Sequence, residues 1–165
     1  MDRWVAGPLL LLLKPLVMLL GRVLRRDHAL GVGRSLLVVK LFGGGSLFIA
    51  LPNLVGLKRR YPDTELILLT TPSVRPFAAA MGVFDRIEIL DDSGLWRLVS
   101  SALGCWWRLV GVDTVVDLEV HSNATTLLAL GTLARNRLAF YLYDAGLKRH
   151  IATHLLFLQQ FSGIY

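Results

Sequence analysis

"VVKLFGGGSLFIALPNL", residues 38–54, joins a β-branched apolar run to three consecutive glycines, a serine and a second apolar run. Extended back to residue 35, the first run becomes "SLLVVKLF". Its unbroken apolarity is that of a strand buried on both faces. The second run, residues 46–61, reads as a helix. Ser46 stands where an N-cap is wanted, and Lys58, Arg59 and Arg60 lie where cations meet the negative end of the helix dipole. Pro52 falls inside this helix and predicts a kink or a short break. Glycines between a strand and a helix serve either a tight turn or a ligand that must come close to the backbone. What the fold places opposite them decides between the two.

Working outward, the chain keeps alternating. "ELILLTT" (65–71) is a second strand and "SVRPFAAAM" (73–81) a short helix. "RIEIL" (86–90) is a third strand, and "LWRLVSSALGCWWRLV" (95–110) a longer helix. "DTVVDLE" (113–119), "SNATTLLALGTLA" (122–134) and "NRLAFY" (136–141) complete a strand, a helix and a fifth strand. Such alternation implies a parallel sheet covered on both faces. Right-handed crossovers then give an α/β, Rossmann-like doubly wound sheet of order 3-2-1-4-5. In that order strands 1 and 4 are neighbours at the point where the winding reverses. Ligands bind outside the carboxyl ends of the strands at such a point. The glycine run and "DLEVHSN" should therefore face each other, making Gly43, Gly44, Gly45 and Ser46 a ligand-facing loop. A side chain at Gly44 is expected to block that ligand and leave the fold intact.

The 165 residues are 54% hydrophobic and 18% charged, enough for one domain with a real core and unlike a disordered chain. A single cysteine, Cys105, excludes an internal disulfide and a cysteine-cluster metal site. It lies among apolar residues and tryptophans and reads as core, which suits a reducing compartment. The net charge is +6, unevenly placed. Residues 1–34 carry six basic side chains against Asp2 and Asp27, a net of +4. The globular part is close to neutral, which argues against nucleic acid as a partner.

The basic N-terminus is also apolar. From Trp4 to Leu20 it is interrupted by Pro8, Lys14 and Pro15, and Arg22, Arg25 and Arg26 follow. A spanning helix wants about 20 apolar residues with few charges. A cleavable signal would put its charges before the apolar run and small residues after it. The reading adopted is an amphipathic helix in the membrane interface, leucines in lipid and arginines on anionic head groups. A signal-anchor and an apolar helix packed on the domain are the alternatives. This divides the chain into a membrane-interface helix and basic linker, residues 1–34, and a Rossmann-like domain, residues 35–165.

Familiar nucleotide motifs fail. Gly43 and Gly45 fit the first two positions of G-x-G-x-x-G, but Phe48 occupies the third, and Thr70, Thr71 and Pro72 stand where an acidic residue should follow strand 2. No Gly-Lys-Ser/Thr follows the glycines, so a P-loop is excluded. Ser46 and His121 make no nucleophile–base pair without a G-x-S-x-G elbow.

"LLVVKLFGGGSLFIALPNLVGLKRRYPDTELILLTTPS", with the later "GVDTVVDLEVHSNATTLLALGTLARNRLAFY", resembles glycosyltransferase family 9, the ADP-heptose:lipopolysaccharide heptosyltransferases. The shared pattern is a strand, a Lys, a glycine loop, an apolar helix with Leu-Pro, then "RYP" and a second strand, and it extends over roughly residues 35–160. The resemblance implies a GT-B fold, of which this chain supplies the N-terminal, acceptor-side half. It implies inverting transfer of a heptose-like sugar to a lipid-linked saccharide in lipopolysaccharide or cell-surface glycan biosynthesis, without a bound metal or other cofactor. The nucleotide-sugar donor would be held by a C-terminal domain absent from these residues, so the isolated chain should be incomplete and inactive. The implied location is peripheral, on the cytoplasmic face of the bacterial inner membrane, with the membrane surface as a partner. "FLQQFSGIY" falls about where the interdomain connection should begin.

Many members carry Gly-Asp after the glycine loop, where this chain has Gly45-Ser46. A serine cannot by itself serve as the base that takes the acceptor proton. Glu119 is the substitute carboxylate and His121 a second candidate, and each is expected to contact the acceptor or serve the structure more than to act as the base. Asp117, deeper in the strand, is expected to pin backbone or a neighbouring side chain. His150 and His154 read as acceptor-side or surface residues. The alternative function is a non-catalytic saccharide- or lipid-binding module that keeps the Rossmann-like fold.

Overall fold

The computed structural model describes residues 7–23, 31–141, 146 and 148–157. The five expected aliphatic runs pair edge to edge as β1 (Ser35–Val39), β2 (Glu65–Thr70), β3 (Arg86–Ile89), β4 (Thr114–Asp117) and β5 (Asn136–Tyr141). A sixth strand, β6 (His154–Phe157), extends the sheet beyond β5. The order is β3-β2-β1-β4-β5-β6, and every pairing is parallel. This is the expected doubly wound order with one strand added at its edge.

Alternate residues of the central strands feed two separate cores. Leu37, Val39, Ile67, Leu69 and Val115 meet α4 (Leu95–Leu109) and α5 (Asn123–Gly131) through Cys105, Leu109 and Ala129. Leu36, Val38, Leu66 and Leu68 meet α2 (Gly44–Arg60) and α3 (Arg75–Met81) through Leu47, Leu54, Val74 and Ala78. Apolar side chains on both faces of β1 and β2 explain why these strands read as unbroken runs instead of alternating ones. Cys105 is buried, as its neighbours suggested.

Two features of α2 depart from expectation. Its N-cap is Gly43, three residues before the serine assigned that role. Ser46 lies within the first turn, and its hydroxyl donates to the Gly43 carbonyl at 2.8 Å. Gly43 can open the helix because it takes the left-handed conformation, φ +77°, that a side chain disfavours. The helix also runs unbroken across Pro52. Pro52 and Phe48, one turn earlier, are both on the exposed side, where water can reach the carbonyl that proline leaves unbonded.

The N-terminal helix α1 (Gly7–Val23) includes Pro15 and packs on the domain through Leu13 and Val17, which meet Leu127, Leu130 and Ile151. Leu9, Leu12, Leu16, Leu19 and Val23 remain exposed. Among the described residues no helix is long and apolar enough to cross a membrane. Arg25 and Arg26 of the basic linker, and the connection expected at the chain's end, lie outside the described residues. The short helix α6 (Lys148–Ile151) precedes β6.

Candidate functional site at the carboxyl ends of β1 and β4

The β1–β4 ladder ends with Val39 beside Asp117, and the Leu118 amide adds one more bond to the Val39 carbonyl at 3.1 Å. Beyond that point the chains part and a side chain takes over from the strand. Glu119 Oε1 accepts the backbone N–H groups of Leu41 and Phe42, each at 2.9 Å. The Lys40 ammonium lies 3.2 Å from the same oxygen. Amides that would otherwise be orphaned where β1 leaves the sheet are thereby satisfied. The carboxylate touches the start of the glycine loop, at the place the topology required.

The three glycines that follow answer to different needs. Gly43 supplies the left-handed turn. Gly44 is buried, and a Cβ there would stand 2.7 Å from the Phe77 ring of α3. A valine at Gly44 would therefore disturb the packing of α2 on α3, contrary to the expectation of an intact fold. A Cβ at Gly45 would meet nothing within 4 Å. Gly45 is thus the glycine whose open side no packing explains. No side chain caps the first turn of α2. Its leading amides carry the positive end of the helix dipole at an exposed turn.

Behind the loop lies a buried ionic network in which Asp117 pins backbone and neighbouring side chains, as expected, and Lys148 is the partner that sequence reasoning missed. Asp117 Oδ2 receives the Lys148 ammonium at 2.8 Å and the Thr125 hydroxyl at 3.0 Å, while Oδ1 accepts the Glu119 amide at 3.0 Å. The Lys148 ammonium also donates to the Glu119 backbone carbonyl. Both partners of the ion pair are almost wholly buried. Burial pushes the Asp117 carboxyl above its ordinary range, against the opposing pull of Lys148 and the hydrogen bonds. Lys148 thus ties α6 to the end of β4 and fixes the backbone from which Glu119 projects. Only its placement in "GLKRHI", within a basic run, was available as a signal, and such a run ordinarily reads as a solvated face.

His121 is exposed on the loop after β4, and Ser46 is exposed in the first turn of α2. The structure thus brings the Glu119 carboxylate to Leu41 and Phe42 at the start of the glycine loop, with Gly43, Gly45 and Ser46 exposed just beyond and His121 on the loop after β4. His150 and His154 lie elsewhere, on α6 and β6, and both are exposed. His150 Nε2 accepts from Arg149 Nε at 3.1 Å, and His154 Nδ1 lies 3.0 Å from the Thr153 hydroxyl. No group of at least three His, Cys, Asp or Glu side chains among the described residues is placed to hold a metal ion.

No family model matches the sequence, and no curated protein matches it. The fold does have a solved counterpart, the crystal structure of the glycosyl transferase family 9 from Veillonella parvula DSM 2008, at a TM-score of 0.62 and 17% identity. The chain's fold is similar to that of this family 9 structure. The match covers 79% of this chain and 37% of that one, so the chain spans little more than a third of its counterpart's length. The shared part is the Rossmann-like α/β sheet, the kind of domain from which GT-B folds are built.

Proposed function

We propose that the chain is the acceptor-side domain of a membrane-associated glycosyltransferase that moves a sugar from a nucleotide sugar to a lipid-linked saccharide. The observation that carries the reading is the Glu119 carboxylate bonded to the Leu41 and Phe42 amides where β1 leads into the glycine loop and the uncapped start of α2, at the switch point of a glycosyltransferase-like fold. Amides at a helix start suit hydroxyl or phosphate groups of an acceptor, and a carboxylate beside them suits a sugar hydroxyl. In the full reaction the acceptor hydroxyl loses a proton as it attacks the anomeric carbon, and the nucleoside diphosphate departs. Glu119 is the carboxylate of this chain nearest that role. Its Oε1 is held by two amides and Lys40, which leaves Oε2 to meet a substrate. The exposed leucines of α1 are consistent with attachment to the cytoplasmic face of an inner membrane, and a heptose-like sugar and lipopolysaccharide acceptor follow from the family resemblance.

The second reading, a non-catalytic saccharide- or lipid-binding module, is favoured by Ser46 in the place of the family's aspartate and by the structural work that Glu119 performs on Leu41 and Phe42. Titration of the isotope-labelled chain with a truncated lipopolysaccharide in detergent micelles tests what the two readings share. Shifts concentrated on the amides of Gly43–Ser46 and Glu119 are expected. Shifts confined to α1 would mean that only the lipid tails are seen, and would overturn a saccharide site. Sequencing the gene beyond codon 165 separates the two readings. An in-frame continuation of roughly 150 residues, the size of a second domain, supports the enzyme.

A further inference from the structure

The helix α4 buries one stripe and displays a second apolar one. Leu98, Ala102, Cys105 and Leu109 face the sheet. At about 100° per residue, the adjoining stripe is formed by Leu95, Val99, Leu103, Trp96 and Trp107. Leu95 is 76% exposed, Trp96 85%, Leu103 61% and Trp107 79%. Apolar groups gathered this closely in water mark a surface that meets something else.

Charge and placement indicate what that is. The three helices on this flank, α1, α4 and α5, contain Lys14, Arg22, Arg97 and Arg108 and not one Asp or Glu. Arg108 is partly engaged by Glu88 at 2.7 Å. Tryptophan has an apolar body with a polar N–H, and is suited to the boundary between acyl chains and head groups. The flank is also continuous. Trp106 Nε1 of α4 donates to the Gly131 carbonyl at the end of α5, at 2.8 Å. Leu13 and Val17 of α1 pack on Leu127 and Leu130 of the same α5. Two apolar stripes therefore border one helix on one face of the sheet.

We propose that the exposed Trp96–Leu103–Trp107 face of α4 inserts into the head-group layer of an anionic bilayer, so that α4 and α1 dock the domain together. This deepens the membrane-associated reading, on which it rests, by assigning half of the contact to a helix within the Rossmann-like domain.

The test uses the full chain with vesicles of phosphatidylglycerol and phosphatidylethanolamine, and phosphatidylcholine vesicles for comparison. Flotation measures binding, and brominated lipids report tryptophan depth by quenching. The chain should favour the anionic vesicles and be quenched by bromines near the head groups. W96E/W107E should lower partitioning about tenfold or more, as expected when interfacial anchors are replaced by charge, and leave the melting temperature unchanged. If that variant melts early, W96S/W107S is read in its place. Wild-type binding by the substituted α4 overturns the inference. If L12Q/L16Q/L19Q abolishes binding while the α4 variant retains it, α1 acts alone, and the membrane reading survives without this inference. Absence of wild-type binding to any vesicle removes both. A lipid-free dimer that W96E/W107E dissolves would make a second copy of the chain the occupant and overturn the inference as well.

Discussion

At the scale of single residues, the Asp117–Lys148 pair sets the stakes. A buried carboxylate stripped of its cation is costly, by about 3–5 kcal/mol in comparable cases. Lys148→Met should lower the unfolding free energy at pH 7 by that order. The sign of its pH dependence follows from Asp117. Burial raises its folded pKa above the unfolded value, and Lys148 opposes that rise. Without Lys148 the folded state holds the Asp117 proton still more tightly than the unfolded chain does. Stability lost at pH 7 should therefore return as the pH falls through the raised folded pKa toward the unfolded one. Urea unfolding at pH 7 and pH 5 checks this, and a deficit equal at both would show that Asp117 does not carry it. Glu119 permits a cleaner separation. Glu119→Gln keeps an oxygen for the Leu41 and Phe42 amides but removes the charge opposite the buried Lys40, so it should lower the melting temperature less than Glu119→Ala does. Glu119→Ala leaves both amides unpaired, at about 1–3 kcal/mol each if water cannot reach them. In a two-domain enzyme, loss of turnover in Glu119→Gln with acceptor binding retained would support a base, and loss of binding an acceptor contact. Glu119 was legible from sequence because the end of a strand at a switch point is a defined place. Lys148 was not, because its partner is 31 residues away, across a crossover.

At the scale of elements, the three glycines separate turn from cleft. Gly43→Ala forces a left-handed alanine and should destabilise by about 1 kcal/mol or more. Gly44→Ala drives a methyl into the Phe77 ring, and Phe77→Ala should recover part of the loss in a double-mutant cycle. Gly45→Ala enters open space in a helical turn and should stabilise by about 0.5–1 kcal/mol through helix propensity alone. If Gly45 exists for close backbone approach, the same methyl should weaken acceptor binding. A more stable variant with unchanged binding would assign all three glycines to turn and packing. The boundaries of β2 and β5 were readable because apolar runs ended at turn residues, whereas β1 stops at Val39, three residues short of the run's end, where Glu119 takes the Leu41 and Phe42 amides in place of a strand. The start of α2 was misplaced because Ser46 has the chemistry of a cap, and a glycine in left-handed conformation three residues earlier leaves no side-chain signature. β6 escaped notice because four residues following a one-turn helix give too short a pattern to establish a period.

At the scale of the whole molecule, the alternation of strands and helices with right-handed crossovers pointed to a doubly wound sheet, and the order 3-2-1-4-5 chosen among the doubly wound orders is the one found, with β1 beside β4. The same topology fixes what the domain can hold. Its switch point has one glycine-rich helix start, without a third fingerprint glycine at Phe48 and without an acid at the end of β2, where Thr70 and Thr71 are buried. The Thr71 hydroxyl is moreover committed to the Leu41 carbonyl at 2.6 Å, so it is not poised for a ribose. A nucleotide sugar would find neither its ribose nor its diphosphate fully recognised here. Calorimetric titration of the chain with ADP- and UDP-sugars should therefore give no binding heat, while a truncated lipopolysaccharide perturbs the glycine-loop amides. A micromolar dissociation constant for either nucleotide sugar would reverse the assignment. The exposed glycine loop would then be a donor site, and the uncapped turn of α2 the natural place for its diphosphate. Gly45→Ala should in that event weaken the nucleotide, and the acceptor would have to bind elsewhere.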